Sequence, residues 1–437
     1  MYEREEKKLR ELKHKMEQGT LPLEQADQMI LAGIAKAKAD RSKQKRRRKR
    51  ITWTAALAAI LILTFVTSIR VSTAFANTVA SIPGMEPFVA MIQQDKGLQA
   101  IFKEDYYQEI GASQTVGDVT MTIDGVILDE TGMNVYYTIE SRKKMKTASV
   151  HTIEITNSRP MPEAGISYGG MDANDVYSYQ ENMEITFSKR NVFNDLNFTV
   201  DAEMKIDGRI EPFSIPFKVP EQTKPSKPYV LNKVMELDGQ HFTIDEIVIS
   251  PMRASVQITF DPDNTKKIVS FEDMRLVDEK GEVWGRIANG VTAFGNEKGK
   301  TTHTFFLQSN YFSTPEKLYL QINKAQAIKQ EQAFIEVNTD TRELLAFPDG
   351  PELQLVDANR NGIDLLLSVQ DFNHDPFTTA IDAQGKEISI SSFSLYGEGD
   401  ATHWSPAFET TSYTNPIRLE LHAYPTYIEG DVKVEVK

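Results

Sequence analysis

Eight of the ten residues from Arg41 to Arg50 are Lys or Arg, and the nineteen that follow, Ile51 to Ile69, carry no charge. No other feature constrains the chain so tightly. A bilayer core is about 30 Å thick, and a helix rising about 1.5 Å per residue crosses it with roughly twenty apolar residues. Residues 51–70 are therefore read as one transmembrane helix. Leu57, Ile60, Leu61, Leu63 and Phe65 form its apolar anchor, and Trp53 suits the membrane–water interface. The cations Arg46, Arg47, Arg48, Lys49 and Arg50 set the topology, because cytoplasmic flanks carry the excess of Lys and Arg. Residues 1–50 are expected in the cytoplasm and residues 71–437 outside. Two other readings compete: a buried core helix, and a signal peptide cut at the small-x-small site Ala74-Phe75-Ala76. The cationic collar argues against the first, and the long leader against the second.

The two sides differ in charge. Residues 1–50 hold 16 basic and 8 acidic side chains, whereas residues 71–437 hold 32 and 54. The basic run is thus a local, topogenic feature that also suits anionic lipid headgroups, and beside a span it does not point to nucleic acid. The chain has no cysteine, which excludes disulfides, thiolate catalysis and Cys-ligated zinc. A length of 437 residues predicts several domains. The expected organisation is a helical head over 1–50, a span over 51–70, a first outer domain over 71–220 and a linker over 221–229. A second outer domain over 230–345 and a C-terminal β region over 346–437 complete it.

In the head, Leu9, Leu12 and Met16 recur at helical spacing, and Leu23, Ile30 and Ile34 form a second stripe. Two such short helices cannot build a core alone, so these six residues are candidate contacts for a cytoplasmic partner. A solvated leader without a partner is the bland alternative.

Outside, residues 74–104 read as a helical stalk. From about 114 onward, short β-branched and aromatic runs alternate with Gly, Asp, Asn and Pro. They predict strands at 116–128, 133–140, 149–156, 182–188, 196–206 and 211–218. A second series is expected at 230–236, 240–249, 253–260, 269–278, 301–308, 316–326 and 332–338. The fold class expected is mainly β, with tandem immunoglobulin-like antiparallel sandwiches after the span. The two series share a phrase: Gly117-Asp-Val-Thr-Met-Thr-Ile-Asp124 and Gly239-Gln-His-Phe-Thr-Ile-Asp245 match with one gap, as a duplication would leave them. Further strands are expected near 353–357, 363–370, 387–394, 416–423 and 431–436, read as a third unit of similar type.

Catalytic signatures are missing. No HExxH, nucleophile elbow, P-loop or dinucleotide fingerprint occurs, and the seven histidines show no metal-ligand spacing. Asp357, Asn359, Asn361 and Gly362 begin like a calcium loop, but its twelfth position is Ser368 where Glu is required. A hairpin turn accounts for the same letters, up to Asp364. Neither an enzyme nor a cofactor is expected.

The order of features resembles a known family. The head carries Leu21-Pro22-Leu23-Glu24-Gln25-Ala26-Asp27-Gln28-Met29-Ile30, and beyond the span lie Ala74-Phe75-Ala76-Asn77-Thr78-Val79-Ala80-Ser81-Ile82-Pro83-Gly84-Met85 and Asp95-Lys96-Gly97-Leu98. This resembles the membrane-anchored, uncharacterised-domain proteins of Gram-positive bacteria associated with extracytoplasmic-function sigma factors. Residues from about 228 to 340 resemble an uncharacterised immunoglobulin-like domain that accompanies them. The resemblance implies an anti-sigma-like regulator whose head binds a sigma factor and whose outer domains sense the envelope. The His-x3-Cys-x2-Cys zinc signature of the best-known heads is absent, as the chain has no Cys. The competing expectation is a non-enzymatic surface protein that binds wall polymer or another protein.

Overall fold

The computed structural model describes residues 3–18, 73–82, 84–169, 173–221, 223–287, 293–294, 301–370, 372, 374 and 376–437. They divide into two units, Met1–Thr73 and Ala74–Lys437. In the first, α1 (Glu3–Gln18) has Glu3, Glu5 and Glu6 in its first turn and Lys15 in its last. That arrangement complements the helix dipole, and the strong helix formers between need no partner to favour the helix. The expected head contacts Leu23, Ile30 and Ile34 lie outside the described residues, as do Trp53, Leu57, Ile60, Leu61, Leu63, Phe65 and Arg46 to Arg50. Among the described residues no helix is long and apolar enough to cross a membrane.

The second unit is mainly antiparallel β. It opens with α2 (Thr73–Ala80), a 3₁₀ turn (Glu86–Phe88), α3 (Val89–Gln94) and α4 (Lys96–Lys103), which together form the stalk. Asp95 Oδ1 accepts the Leu98 N–H at 3.0 Å and caps α4.

The first β domain contains β1 (Gln108–Val116), β2 (Val119–Asp129), β3 (Gly132–Asn157), β4 (Ala164–Tyr168), β5 (Ala173–Phe187), β6 (Asn197–Ile206) and β7 (Arg209–Lys218). The strand spacing is that of a sandwich or an open barrel, and these strands form one sheet. Its order is β1-β2-β3-β5-β4, with β6 joining β3 and β7 joining β6. The reason is the 26-residue β3. Its first half pairs with β2 and β5, and its second half with β6. The sheet bends over itself, and β7 comes to lie beside β1, where the Ser214 N–H donates to Gln114 Oε1 at 2.6 Å. Met121, Ile123, Val135, Phe198 and Ile215 fill the space enclosed.

The second β domain contains β8 (Lys227–Leu237), β9 (Gln240–Ile249), β10 (Arg253–Phe260), β11 (Lys266–Asp278), β12 (Val283–Trp284), β13 (Ala293–Phe294), β14 (Thr302–Gln308) and β15 (Leu318–Lys329). The third contains β16 (Phe334–Asn338), β17 (Glu343–Ala346), β18 (Leu353–Asn359), β19 (Gly362–Leu367), β20 (Phe377–Ile381), β21 (Glu387–Ile388), β22 (Ile390–Glu398), β23 (Ala401–Phe408) and β24 (Ile417–Leu421). The last strand, β25 (Tyr427–Glu435), returns to the second domain.

In the second domain the sheets β13-β14-β10-β9-β8 and β12-β11-β15-β25 share a core with Ile244, Val256, Leu276, Leu320 and Val434. In the third, β17-β16-β24-β20-β21 and β18-β19-β23-β22 enclose Ile335, Leu365, Trp404 and Leu419. Two expected boundaries therefore move. The strand at 332–338 belongs to the third unit, where Ile335 pairs with Leu419. The C-terminal region does not form one unit, because Val432 pairs with Ile322 of β15. The third domain is thus an insertion between two neighbouring strands of the second. The expected linker 221–229 ends at Pro225 or Ser226, since β8 already begins at Lys227.

The suspected duplication is visible in three dimensions. Both phrases form the second strand of a hairpin with a two-residue turn, Gly117-Asp118 and Asp238-Gly239. The turn glycine sits first in one and second in the other, which accounts for the single gap. Asp124 and Asp245 each occupy an irregularity in the pairing with the next strand. Thr138 Oγ1 donates to Asp124 Oδ2 at 2.7 Å, and Thr259 Oγ1 donates to Asp245 Oδ2 at 2.7 Å. A related clasp in the third domain joins Ser405 Oγ to Asp364 Oδ1 at 2.7 Å.

Candidate functional site

On α1, Leu9, Leu12 and Met16 fall on one face, and they are 68%, 59% and 79% exposed. The nearest order on the polar side is an Arg10–Glu6 pair at 3.7 Å, one helical turn apart. Three large apolar side chains in a row on a short solvated helix form a stripe that a partner groove would cover.

In the second unit, the stalk is wedged into the junction of the first two β domains. Val79, Met85, Phe88, Ile92, Ile101 and Phe102 share one core with Ile127 and Tyr136 of the first domain and Met252 of the second. Phe88 meets the Tyr136 ring edge-on at 5.0 Å, and Phe102 stacks on Tyr107 at 5.1 Å. The two repeats differ where the stalk lands. After Ile-Asp, the first domain has Gly125 and the second Glu246. A Cβ on Gly125 would collide with the Tyr107 ring, so glycine is needed for the stalk to seat. Gly84, at φ +76°, turns the stalk directly over the Asp124 carboxylate, leaving no room for a side chain there. Burial pushes the Asp124 carboxyl up to about 6, against the Thr138 hydrogen bond and with help from Glu140.

Polar clasps lock the same junction. Asp129 is fully buried and accepts Thr131 N–H at 2.7 Å and Thr131 Oγ1 at 2.6 Å on one oxygen. Its other oxygen accepts Met252 N–H at 2.7 Å from the second domain. Burial raises its pKa, with these bonds and Arg253 opposing. Arg253, also buried, donates to Thr186 Oγ1 at 2.6 Å and to Glu184 Oε1 at 3.0 Å. Tyr106 OH donates to Leu128 O at 2.7 Å and accepts the Lys224 N–H of the linker at 3.3 Å. The linker is pinned again where Tyr311 OH donates to Pro225 O at 2.9 Å. Stalk and first two domains therefore form one braced assembly. None of these clasp residues stood out in the sequence; single Asp, Glu and Arg residues in hairpin turns carry no local signature.

The suspected calcium loop is a hairpin. Asn359 pairs with Gly362, and Asp357 pairs with Asp364 across the strands. Its tip is occupied by protein groups: Asn361 N–H donates to Asn359 Oδ1 at 2.8 Å, and Arg360 Nε donates to Asp340 at 2.8 Å. Asp364 faces His403, whose Nδ1 lies 3.0 Å from Oδ1, while His403 Nε2 lies 2.8 Å from Glu398. Tyr396 stacks on the imidazole at 4.4 Å. Ser, His and Asp thus meet, but in an order unlike a nucleophilic triad. Ser405 bonds to the Asp, and both imidazole nitrogens face carboxylates, so neither is free to take a proton from the hydroxyl. Among the described residues no three His, Asp or Glu side chains converge as metal ligands.

Comparisons with known proteins match two segments of this layout. Residues 226–355 match a family of unknown function (DUF5643), and residues 45–141 match a domain of unknown function (DUF4179). No curated protein matches the chain. Among solved structures, a conserved domain protein from Bacillus anthracis is similar at 13% identity, covering 55% of this chain and 84% of that one, with a TM-score of 0.38.

Proposed function

We propose that the chain is a single-pass membrane signalling regulator of the anti-sigma type, non-catalytic, with a cytoplasmic head and a sensing body outside. The exposed Leu9–Leu12–Met16 stripe of α1 carries this reading, because a solvated helix gains nothing from three apolar side chains in line. The charge step at Arg41–Ile69 supports membrane anchoring, and the match of residues 45–141 agrees with the resemblance drawn from the head and stalk. In this scheme Leu9, Leu12, Met16, Leu23, Ile30 and Ile34 occupy grooves of an extracytoplasmic-function sigma factor. The braced body carries its signal inward through the single span.

The test is capture from cytosol by the tagged chain, with Leu12→Asp and Ile30→Asp combined as the variant. A sigma factor retained by the parent and lost by the variant is the expected result. Equal capture by both, or none by a well-expressed parent, rejects the reading. The second result favours a wall-binding surface protein, to which the mainly β body is equally suited.

A further inference from the structure

Residues Arg142, Lys143, Lys144 and Lys146 place four cations within five positions of an otherwise acidic body. Two chain reversals converge on them. Arg142 N–H donates to Asp118 O in the β1–β2 turn at 3.1 Å, and Asp207 N–H of the β6–β7 turn donates to Thr147 O at 2.9 Å. Asp207 Oδ1 also accepts the Lys146 and Thr147 amides at 2.8 and 3.0 Å. The run is held in place, since Met145 is buried in the core while the four cations beside it are exposed. Pairing of β3 with β5 skips from Glu140 to Met145, and this irregularity fans the cations outward. Arg209, first residue of β7, brings a fifth.

The cluster is only partly neutralised. Lys143 Nζ lies 2.6 Å from Asp118, and Lys144 lies 3.4 Å from Asp175. No ion pair ties Arg142, Lys146 or Arg209 to another described residue. Asp118 is held below the usual carboxylate range by Lys143 first, with Arg142 and Arg209 adding to it. Arg142 is tied to Asp118 through its backbone, and Arg209 follows Asp207, which is tied to Lys146, so all five cations lie at one end of the domain.

We propose that this end of the first β domain binds a linear phosphodiester polymer. The body as a whole holds 54 acidic against 32 basic side chains, this cluster included, so the surface away from it repels a polyanion and steers its approach to this tip. Two guanidinium forks match phosphate oxygens geometrically. Patches built for lipid surfaces interleave several long apolar or aromatic side chains with their cations. Here Met145 is buried, and only two large side chains are exposed beside the cluster among the described residues, Ile210 next to Arg209 and Tyr177 on β5 opposite the irregularity. Binding at this tip stands whether or not the head holds a sigma factor.

The test uses the full chain in uncharged detergent micelles and purified poly(glycerol phosphate), with affinity followed against salt. One variant combines Arg142→Gln, Lys146→Gln and Arg209→Gln; a second is Asp118→Asn; a third combines Arg46→Gln, Arg47→Gln and Arg48→Gln in the head. The expected results are affinity reduced about tenfold or more at low salt by the first variant, increased by the second and unchanged by the third. Unchanged affinity in both tip variants, or loss only in the head variant, overturns the proposal. So does preference for phosphatidylglycerol vesicles over the polymer, which would make the ligand a headgroup surface.

Discussion

Asp124→Asn should make the first β domain more stable at neutral pH. In the folded chain this carboxyl titrates near 6, whereas its ordinary value is 3.8. A folded pKa raised above the unfolded one means that the native state binds the proton more tightly. Native stability from this group is fullest below pH 3.8 and is lost as the pH rises towards 6. At pH 7 the folded protein holds a carboxylate under Gly84 that the unfolded chain would hold in water. The full difference is roughly 3 kcal/mol at about 1.36 kcal/mol per tenfold step. Asp124 is only partly buried, and solvent screening reduces this to about 1 kcal/mol. The amide keeps the acceptor for Thr138 and removes the charge. Pulse proteolysis in urea, with domain 1 peptides read by mass spectrometry, separates this domain from the other two. With a slope of about 2–3 kcal/mol/M, the variant's midpoint should lie about 0.3–0.5 M higher at pH 7.5. The difference should vanish by about pH 4. A variant that is equal or weaker at pH 7.5, or a gap that persists in acid, refutes the reasoning.

Phe88→Ala deletes the edge-on contact with Tyr136 and should cost the docked stalk about 3–5 kcal/mol, seen as faster proteolysis within residues 73–104. Arg253→Ala leaves Glu184 and the buried Asp129 without their cation; a loss of about 3–5 kcal/mol, read as a lower unfolding midpoint for domains one and two, is expected. For His403, burial pushes the imidazole down, but hydrogen bonds to Asp364 and then Glu398 outweigh it and hold the pKa above 6.5. The third domain should therefore be most stable below that value and weaken as pH rises through the raised one, and His403→Gln should remove this slope from the Trp404 fluorescence transition.

Strands with clean alternation were legible in the sequence. Residues 240–249 and 253–260 are legible residue for residue, because Phe242 and Ile244, then Ile247 and Ile249 beyond the irregularity at Asp245, and Ala254, Val256, Ile258 and Phe260 alternate towards one core. β23 was not seen, although Trp404 lies fully buried at its centre. Its Thr402, His403 and Ser405 interrupt the apolar period, and they are polar because they clasp β19 and the loop after it. β1 escaped for a related reason: Gln108-Glu-Ile-Gly-Ala-Ser-Gln-Thr-Val116 has little β propensity and owes its pairing to β2. The repeat was legible because it is local, and its geometry repeats at an identical hydroxyl clasp. The domain junction was not, since Asp129, Glu184 and Arg253 meet only through long-range folding. The head's apolar stripe was read from spacing alone, and the basic tip had a local signal, four cations in five residues, whose meaning came only with Arg209 and Asp118 beside it.

The return of β25 to β15 imposes an order of events on a chain synthesised from its N-terminus. When β15 emerges, its hydrogen-bonding edge has no partner, and it must wait while all of the third domain passes. The third domain closes its own core during that interval, and the second completes its sheet last. A chain stopped just before Tyr427 would therefore end in a finished third domain carried on an open-edged second one. Truncation at the C-terminus should thus aggregate through the middle of the molecule, at the exposed edge of β15, and leave the part nearest the cut intact.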